Sequence, residues 1–143
     1  MKEKIYTIPV TEAFETDCGC PLCFLEEKLE KEAVEYALGA AMMEPDYRIV
    51  SNEKGYCRRH FEMLFKSTNK LSLALTLETH LEEIRKKLNS YEKEISALES
   101  GKSGLFKKSN SVEAAGKIGG MLEKITDDCL ICEKLSSTME RYC

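Results

Sequence analysis

Two short cysteine and histidine motifs are the residues of this sequence whose spacing is best suited to chemistry. Cys20 and Cys23 form a C-x2-C motif, and after a spacer of 33 residues Cys57 and His60 form a C-x2-H motif. Two intervening residues let one turn of the chain direct both side chains at a single ion. Three thiolates and one imidazole are a common tetrahedral zinc ligand set. The spacing therefore predicts a structural Zn²⁺ site formed by Cys20, Cys23, Cys57 and His60.

A third motif, Cys129-Leu130-Ile131-Cys132, repeats the C-x2-C pattern further along the sequence. Like the first pair, it has an acidic residue upstream and Leu and Glu soon after, which indicates an internal repeat. The C-x2-H motif expected after this second pair would fall beyond residue 143. Either the sequence is truncated or the pair finds other ligands, such as Cys143 or a second chain. Cys129 and Cys132 are thus a candidate second half-site, expected to be metal-free in the isolated chain or to bind metal weakly between two chains.

Two other chemistries are compatible with cysteine pairs of this kind. Thiol redox chemistry favours a thiolate at a helix N-terminus, but a redox pair needs no C-x2-H partner. A catalytic zinc keeps an open position for water, whereas three Cys and one His fill a tetrahedron. No H-E-x-x-H, G-x-S-x-G or glycine-rich phosphate motif is present. The sequence therefore predicts a protein-interaction or scaffold module without enzymatic activity, or alternatively a thiol-based redox or metal sensor.

The composition of the chain limits the kinds of partner it can bind and indicates its cellular compartment. The chain has 143 residues, a net charge of −4 and 43% hydrophobic residues, which suits one globular domain. An acidic chain argues against nucleic acid or an anionic membrane as a partner, because both are bound mainly through Lys and Arg. No apolar run approaches the roughly 20 residues of a membrane helix. Seven cysteines without a secretory signal favour metal binding in a reducing cytoplasm over disulfides.

The elements that must position the first motifs are predicted to be helices. Proline suits the first helical position, so a helix is expected to begin at Cys20-Pro21 and to end at Gly39. Apolar residues recur along it at steps of three and four. The opposite, solvent-facing side is expected to carry Glu26, Glu27, Glu30 and Lys31.

Helix is expected to resume near Cys57 and to break near Asn69. Residues 1–10 contain β-branched and aromatic residues and are predicted to be extended. Residues 45–56 contain Pro45 and Gly55 and are predicted to form a loop.

A heptad pattern dominates the second half of the sequence. Apolar residues separated alternately by four and three positions are typical of a coiled-coil seam. They are Leu77, Leu81, Ile84, Leu88, Tyr91, Ile95 and Leu98. Residues 100–104 and 107–111 read as a polar connection, and a second stripe over 112–125 contains small residues. An antiparallel helical hairpin is the simplest arrangement, and its uncovered part predicts association with a protein or with itself through the 77–98 seam.

These patterns together predict a single all-α domain over residues 1–143, stapled by zinc. It divides into a zinc-knot part at 1–68, a helical hairpin at 69–126 and the start of a second C-x2-C module at 127–143.

Several segments taken in order resemble a known family. They are Ile5-Tyr6-Thr7-Ile8-Pro9-Val10, Cys20-Pro21-Leu22-Cys23, Gly55-Tyr56-Cys57-Arg58-Arg59-His60-Phe61 and Cys129-Leu130-Ile131-Cys132. In this combination the chain resembles an uncharacterised bacterial family, DUF6062. The resemblance implies a mostly helical, cysteine-rich intracellular protein and implies no activity. Members usually run longer, and the further Cys and His block that they carry is missing here.

Overall fold

The computed structural model of the chain describes residues 7–100 and 107–142 and confirms the all-α prediction. Within these ranges the chain forms seven α-helices and a short 3-10 helix, with no strand. The α-helices are α1 (Ile8–Glu15), α2 (Pro21–Leu38), α3 (Pro45–Lys54), α4 (Arg58–Lys66), α5 (Lys70–Ser100), α6 (Lys107–Asp127) and α7 (Leu130–Tyr142). The 3-10 helix, Ala40–Met43, connects α2 to α3.

Helix α2 has the predicted bounds, and its termini show why. Pro21 occupies the first turn, and the Cys20 sulfur accepts a hydrogen bond from the Cys23 backbone N–H at 3.2 Å. This contact satisfies one of the backbone donors that every helix leaves unpaired at its start. Gly39 follows the last helical residue and turns the chain into the 3-10 helix.

Two segments predicted as extended or loop are helical instead. Residues 8–10 belong to α1. Its start tolerates Pro9 because the backbone N–H groups of the first helical positions make no intrahelical hydrogen bond that proline could remove. Residues 45–54 form α3, with Pro45 at its first position and Gly55 just after its end. Both residues were read as turn signals, but a proline before and a glycine after a segment also delimit a helix. The predictions for residues 1–6 lie outside the described residues.

One hydrophobic core joins α2, α3, α4, α5 and the start of α7. Helix α7 packs against α2 and α3, and α4 packs against α2 and α5. The buried residues of this core are Val34, Ala37, Leu38, Ala41, Tyr47, Tyr56, Leu64, Leu73, Cys129, Leu130 and Ile131. Residues 129–131, at the beginning of the segment predicted as the start of a second C-x2-C module, belong to this core.

The side chains of α5 that the structure describes place the predicted seam only partly toward the core. Those buried are Leu73, Thr76 and His80. In the seam, Leu77 and Ile84 are half-buried, whereas Leu81 and Leu88 are 59% and 42% exposed. The seam therefore lies along the margin of the contact with the core, and part of it faces outward.

Helix α6 packs on α5. It begins at Lys107, so residues 107–111 are helical where a polar connection was predicted. A methyl group added at Gly116 or Gly119 would meet no atom within 4 Å, so these small residues are not sites of close helix approach. The antiparallel order of the hairpin and the coiled-coil geometry stay predictions, and the predicted break at residues 101–104 falls outside the described residues. Among the helices described, none is long and apolar enough to cross a membrane.

Candidate metal centre

The C-x2-H motif lies at the start of α4. Cys57 is the residue that precedes the helix, in an extended conformation, and its carbonyl accepts the Phe61 N–H at 2.9 Å. His60 therefore lies in the first turn, on the same side as Cys57, and its Nδ1 is 3.2 Å from the Cys57 sulfur. His60 is only 2% exposed. The local fold thus presents one sulfur and one ring nitrogen together at a buried helix N-terminus.

The second C-x2-C motif lies at the start of α7 in the same manner. Cys129 precedes the helix, and its carbonyl accepts the Glu133 N–H at 3.1 Å. The two residues between the cysteines, Leu130 and Ile131, are both buried in the core. Their burial fixes the first turn of α7 and leaves the Cys129 and Cys132 sulfurs directed at the start of α4.

These two helix starts bring four metal-ligating side chains together, which we call the four-donor cluster. Its members are Cys57, His60, Cys129 and Cys132, whose ligand atoms all lie within 4.8 Å of one another. The Cys129 and Cys132 sulfurs are 3.2 Å and 3.4 Å from His60 Nδ1. The Cys57 and Cys132 sulfurs are 3.8 Å apart.

Hydrogen bonds alone cannot account for this convergence. A neutral imidazole offers one acceptor lone pair, so His60 Nδ1 can accept from only one of the three thiols around it. A cation between the four atoms would bind all of them at once. The donor set fits such an ion, since thiolate sulfur and imidazole nitrogen are ligands for soft and borderline metals.

A buried carboxylate orients the histidine from its other side. Glu30 of α2 is 4% exposed, and its Oε1 lies 3.0 Å from His60 Nε2. Its second oxygen accepts a hydrogen bond from the Arg59 guanidinium at 2.6 Å. A hydrogen on Nε2 leaves Nδ1 free as a ligand, and a carboxylate in this position is typical of histidines that bind metals. Through Glu30, helix α2 thereby orients His60 without supplying a ligand itself.

Burial and hydrogen bonds shift the acidities within the cluster. Burial lowers the pKa of His60, although Glu30 acts in the opposite direction. The lowered pKa favours the neutral ring that a metal ligand requires. Burial also opposes a thiolate at Cys57, but hydrogen bonds from the His60 backbone and from Cys129 and Cys132 outweigh it and lower the pKa of Cys57. Burial raises the pKa of Cys132 to about 12. Within the cluster, therefore, the pKa of the Cys57 thiol is lowered and that of the Cys132 thiol is raised.

The loop before α4 is held by a close contact with α5. Gly55 has a φ of +67°, and a methyl group added there would lie 2.4 Å from the His80 ring. The His80 Nδ1 lies 2.8 Å from the Asn52 carbonyl oxygen, which ties the ring to the end of α3. The Gly55 carbonyl in turn accepts the Leu130 N–H at 3.1 Å. Gly55 therefore links the start of α7 to the loop that leads into Cys57.

Cys20 and Cys23 do not join this cluster, although the sequence analysis grouped them with Cys57 and His60. Both are exposed at the start of α2. His60 contacts α2 at Glu30, which follows Cys23 by seven residues, roughly 10 Å along the helix axis at about 1.5 Å per residue. The structure places the second C-x2-C pair at Cys57 and His60 instead of the first. Cys143, the other proposed ligand for that pair, lies outside the described residues.

Sequence reasoning also missed the residues around the ligands. Glu30 was expected on the outer face of α2 with its acidic neighbours, and the structure buries it. Arg59, whose side chain is 73% exposed, contacts Glu30 from the surface. One available signal was the dipeptide between each pair of cysteines. Leu130-Ile131 is strongly apolar and suited to a core, whereas proline in Cys20-Pro21-Leu22-Cys23 marks a helix start at the surface.

Comparison with known proteins gives a family and no function. The model of a family of unknown function, DUF6062, matches residues 1–143. No curated protein and no solved structure matches the chain.

Proposed function

We propose that this chain, which belongs to the family of unknown function DUF6062, is a structural zinc-binding protein whose ion is held by the four-donor cluster. The observation that carries this proposal is the convergence of three cysteine sulfurs on one nitrogen of a buried histidine. None of the six cysteines in the described ranges forms a disulfide, which fits the reducing cytoplasm that we propose as its compartment.

The spacing of the sulfurs supports zinc in particular. Zinc–sulfur bonds of about 2.3 Å in a tetrahedron separate two ligand sulfurs by about 3.8 Å. The Cys57 and Cys132 sulfurs have this separation. Four protein ligands complete a tetrahedron and leave no position for a substrate or water. The proposed role is therefore structural, and the ion would hold the starts of α4 and α7 together beside α2.

Metal content and ligand variants test this proposal. Protein purified without added metal should contain one zinc ion per chain, and Cys57→Ser and Cys129→Ser should each lose it. Because metal-binding free energy becomes folding free energy, we expect both variants to lose on the order of several kcal/mol of unfolding free energy. A chelator should have the same effect on the parent protein.

Cys20→Ser is the matched control, since it removes an equivalent cysteine from the other C-x2-C motif. It should retain zinc and melt close to the parent. If Cys20→Ser loses the ion while Cys129→Ser keeps it, the ligand set predicted from sequence is correct and the four-donor cluster is not the site.

The biological role that we propose for the stapled fold is that of a protein-interaction or scaffold module. Leu81 and Leu88 expose apolar surface along α5. On the same helix, Leu73 and Leu77 line an apolar groove of about 350 Å³ with Phe61 and Phe65 of α4. Apolar surface left exposed in this way is characteristic of sites that bind another protein.

A second candidate function, a redox or metal sensor, is supported by the position of Cys132. Its side chain is exposed and lines a cavity of about 500 Å³ with Arg59 and Met139. An oxidant could reach this sulfur, which lies 3.8 Å from that of one candidate disulfide partner, Cys57. Treatment of the zinc-loaded protein with a small excess of hydrogen peroxide separates the two roles. A structural centre keeps its ion, whereas a sensor releases it as the Cys57–Cys132 disulfide forms.

A further inference from the structure

The cysteine pair at the start of α2 is a separate site that the zinc proposal leaves unused. Cys20 immediately precedes the helix, and Cys23 lies in its first turn. The Cys23 backbone N–H donates to the Cys20 sulfur at 3.2 Å. Both side chains are exposed. Two thiols three residues apart at one helix start are therefore available on the surface of the protein.

This pair lacks the additional ligands of a zinc site. The four-donor cluster is the one group of three or more metal-ligating side chains found in residues 7–100 and 107–142. Cys20 and Cys23 supply two donors, and a structural zinc takes four. Within the described part of one chain, these thiols are not completed by a third donor.

The position of Cys20 suits a nucleophile. A sulfur at a helix N-terminus is stabilised as thiolate by the backbone N–H that points at it and by the partial positive charge of the helix end. The helix here is 18 residues long, and Pro21 fixes its first turn. Cys23 lies in the first turn of the same helix, where its sulfur is placed to attack that of Cys20 once Cys20 has reacted.

We propose that Cys20 and Cys23 form a dithiol–disulfide pair that exchanges with accessible disulfides of other molecules. The Cys20 thiolate attacks one sulfur of the incoming disulfide, so the external S–S bond breaks and one thiolate leaves and takes up a proton. The product is a mixed disulfide at Cys20. The Cys23 thiol then loses its proton and attacks the Cys20 sulfur, which expels the second external thiol. The protein dithiol is oxidised and one external disulfide is reduced to two thiols.

The test uses the zinc-loaded full chain, oxidised glutathione as the disulfide, and mass spectrometry of the acid-quenched protein. The parent should form a Cys20–Cys23 disulfide. Cys23→Ser should accumulate a glutathione adduct at Cys20, because the resolving thiol is missing. Cys20→Ser can form neither product, and its Cys23 should acquire glutathione several-fold more slowly than Cys20 does in Cys23→Ser.

Cys18→Ser is the matched control, since Cys18 lies two residues away and is half-buried. It should react like the parent, and a disulfide between Cys18 and Cys20 would overturn the proposal. Equal adduct rates in Cys20→Ser and Cys23→Ser, or zinc found on this pair, would also overturn it. The zinc content of each variant is measured in the same samples. An absence of zinc from the untreated parent would contradict the four-donor cluster and is distinguishable from a failure of Cys20 to react.

Discussion

At the scale of single residues, Glu30 shows how a residue that is not a ligand can orient a ligand of a candidate metal site. Its carboxylate accepts from His60 Nε2 and from Arg59, and it is buried beside them. A carboxylate in this position fixes the ring orientation and increases the basicity of the ligating nitrogen. Helix α2 therefore influences the four-donor cluster through a residue that no ligand motif would identify.

Replacing Glu30 with glutamine tests this role. Glu30→Gln keeps the size of the side chain but removes its charge, so we expect zinc affinity to fall roughly 10- to 100-fold. Competition with a chromogenic chelator measures the affinity. Glu26→Gln is the control, because Glu26 is an exposed acid one turn earlier on the same helix. Equal affinities for Glu30→Gln and Glu26→Gln would show that the contact does not support the ligand.

The residue types of the candidate ligands could be predicted from sequence, but which C-x2-C pair joins Cys57 and His60 could not. Two C-x2-C motifs are compatible with the single C-x2-H motif at 57–60, and local spacing does not distinguish between them. The choice depends on packing. Leu130 and Ile131 are buried in the core and bring their flanking cysteines to α4, while Cys20 and Cys23 lie two turns of α2 away from Glu30.

At the scale of helices, Gly55 and its contact with His80 of α5 connect α3, α4, α5 and α7. Gly55 ends α3, leads into α4 and accepts a hydrogen bond from the start of α7. Its positive φ and the nearby imidazole leave no room for a side chain. The relative positions of α3, α5 and α7 thus depend on a residue without a Cβ.

Gly55→Ala should therefore destabilise the zinc-loaded protein. An alanine at this φ costs roughly 1–3 kcal/mol in backbone strain, and displacement of the His80 ring adds to that cost. Urea unfolding followed by circular dichroism measures the change. Gly119→Ala is the control, since this glycine is in the helix α6 with open space around it. It should instead stabilise by roughly 0.5–1 kcal/mol. A Gly55→Ala variant as stable as the parent would contradict the coupling.

The limits of α2 and α3 show how far local sequence signals determine the helices. Pro21 and Gly39 were interpreted correctly as the limits of α2, because the segment between them has a clear apolar period. Pro45 and Gly55 limit α3 in the same way, but its short polar segment carries only a weak period. Its helix is stabilised by burial of Tyr47 and Ser51 against the rest of the molecule, which local sequence does not reveal.

At the scale of the whole molecule, the core of the described residues leaves an apolar surface along α5 uncovered. Self-association through the 77–98 seam would cover that surface. Because an aspartate buried at the centre of an apolar interface is costly, Leu88→Asp should convert an oligomer into a monomer with unchanged helix content. Analytical ultracentrifugation of the zinc-loaded protein measures the state.

Leu71→Asp is the control for this experiment, since Leu71 is an exposed leucine of the same helix outside the seam. It should leave the oligomer intact. A parent that sediments as a monomer at all concentrations would contradict self-association. Unfolding of Leu88→Asp would show that the seam belongs to the chain's own core.

The distance along the chain between the two halves of the cluster has a consequence for the order of events during synthesis. His60 and Cys129 are separated by 69 positions. As the protein emerges from the ribosome, α4 therefore presents an incomplete site throughout the time in which α5 and α6 are made. Closing so long a loop is slow compared with the formation of single helices. We expect the newly made chain to complete its proposed metal site last, so that closure of this loop, and not helix formation, determines how quickly it matures.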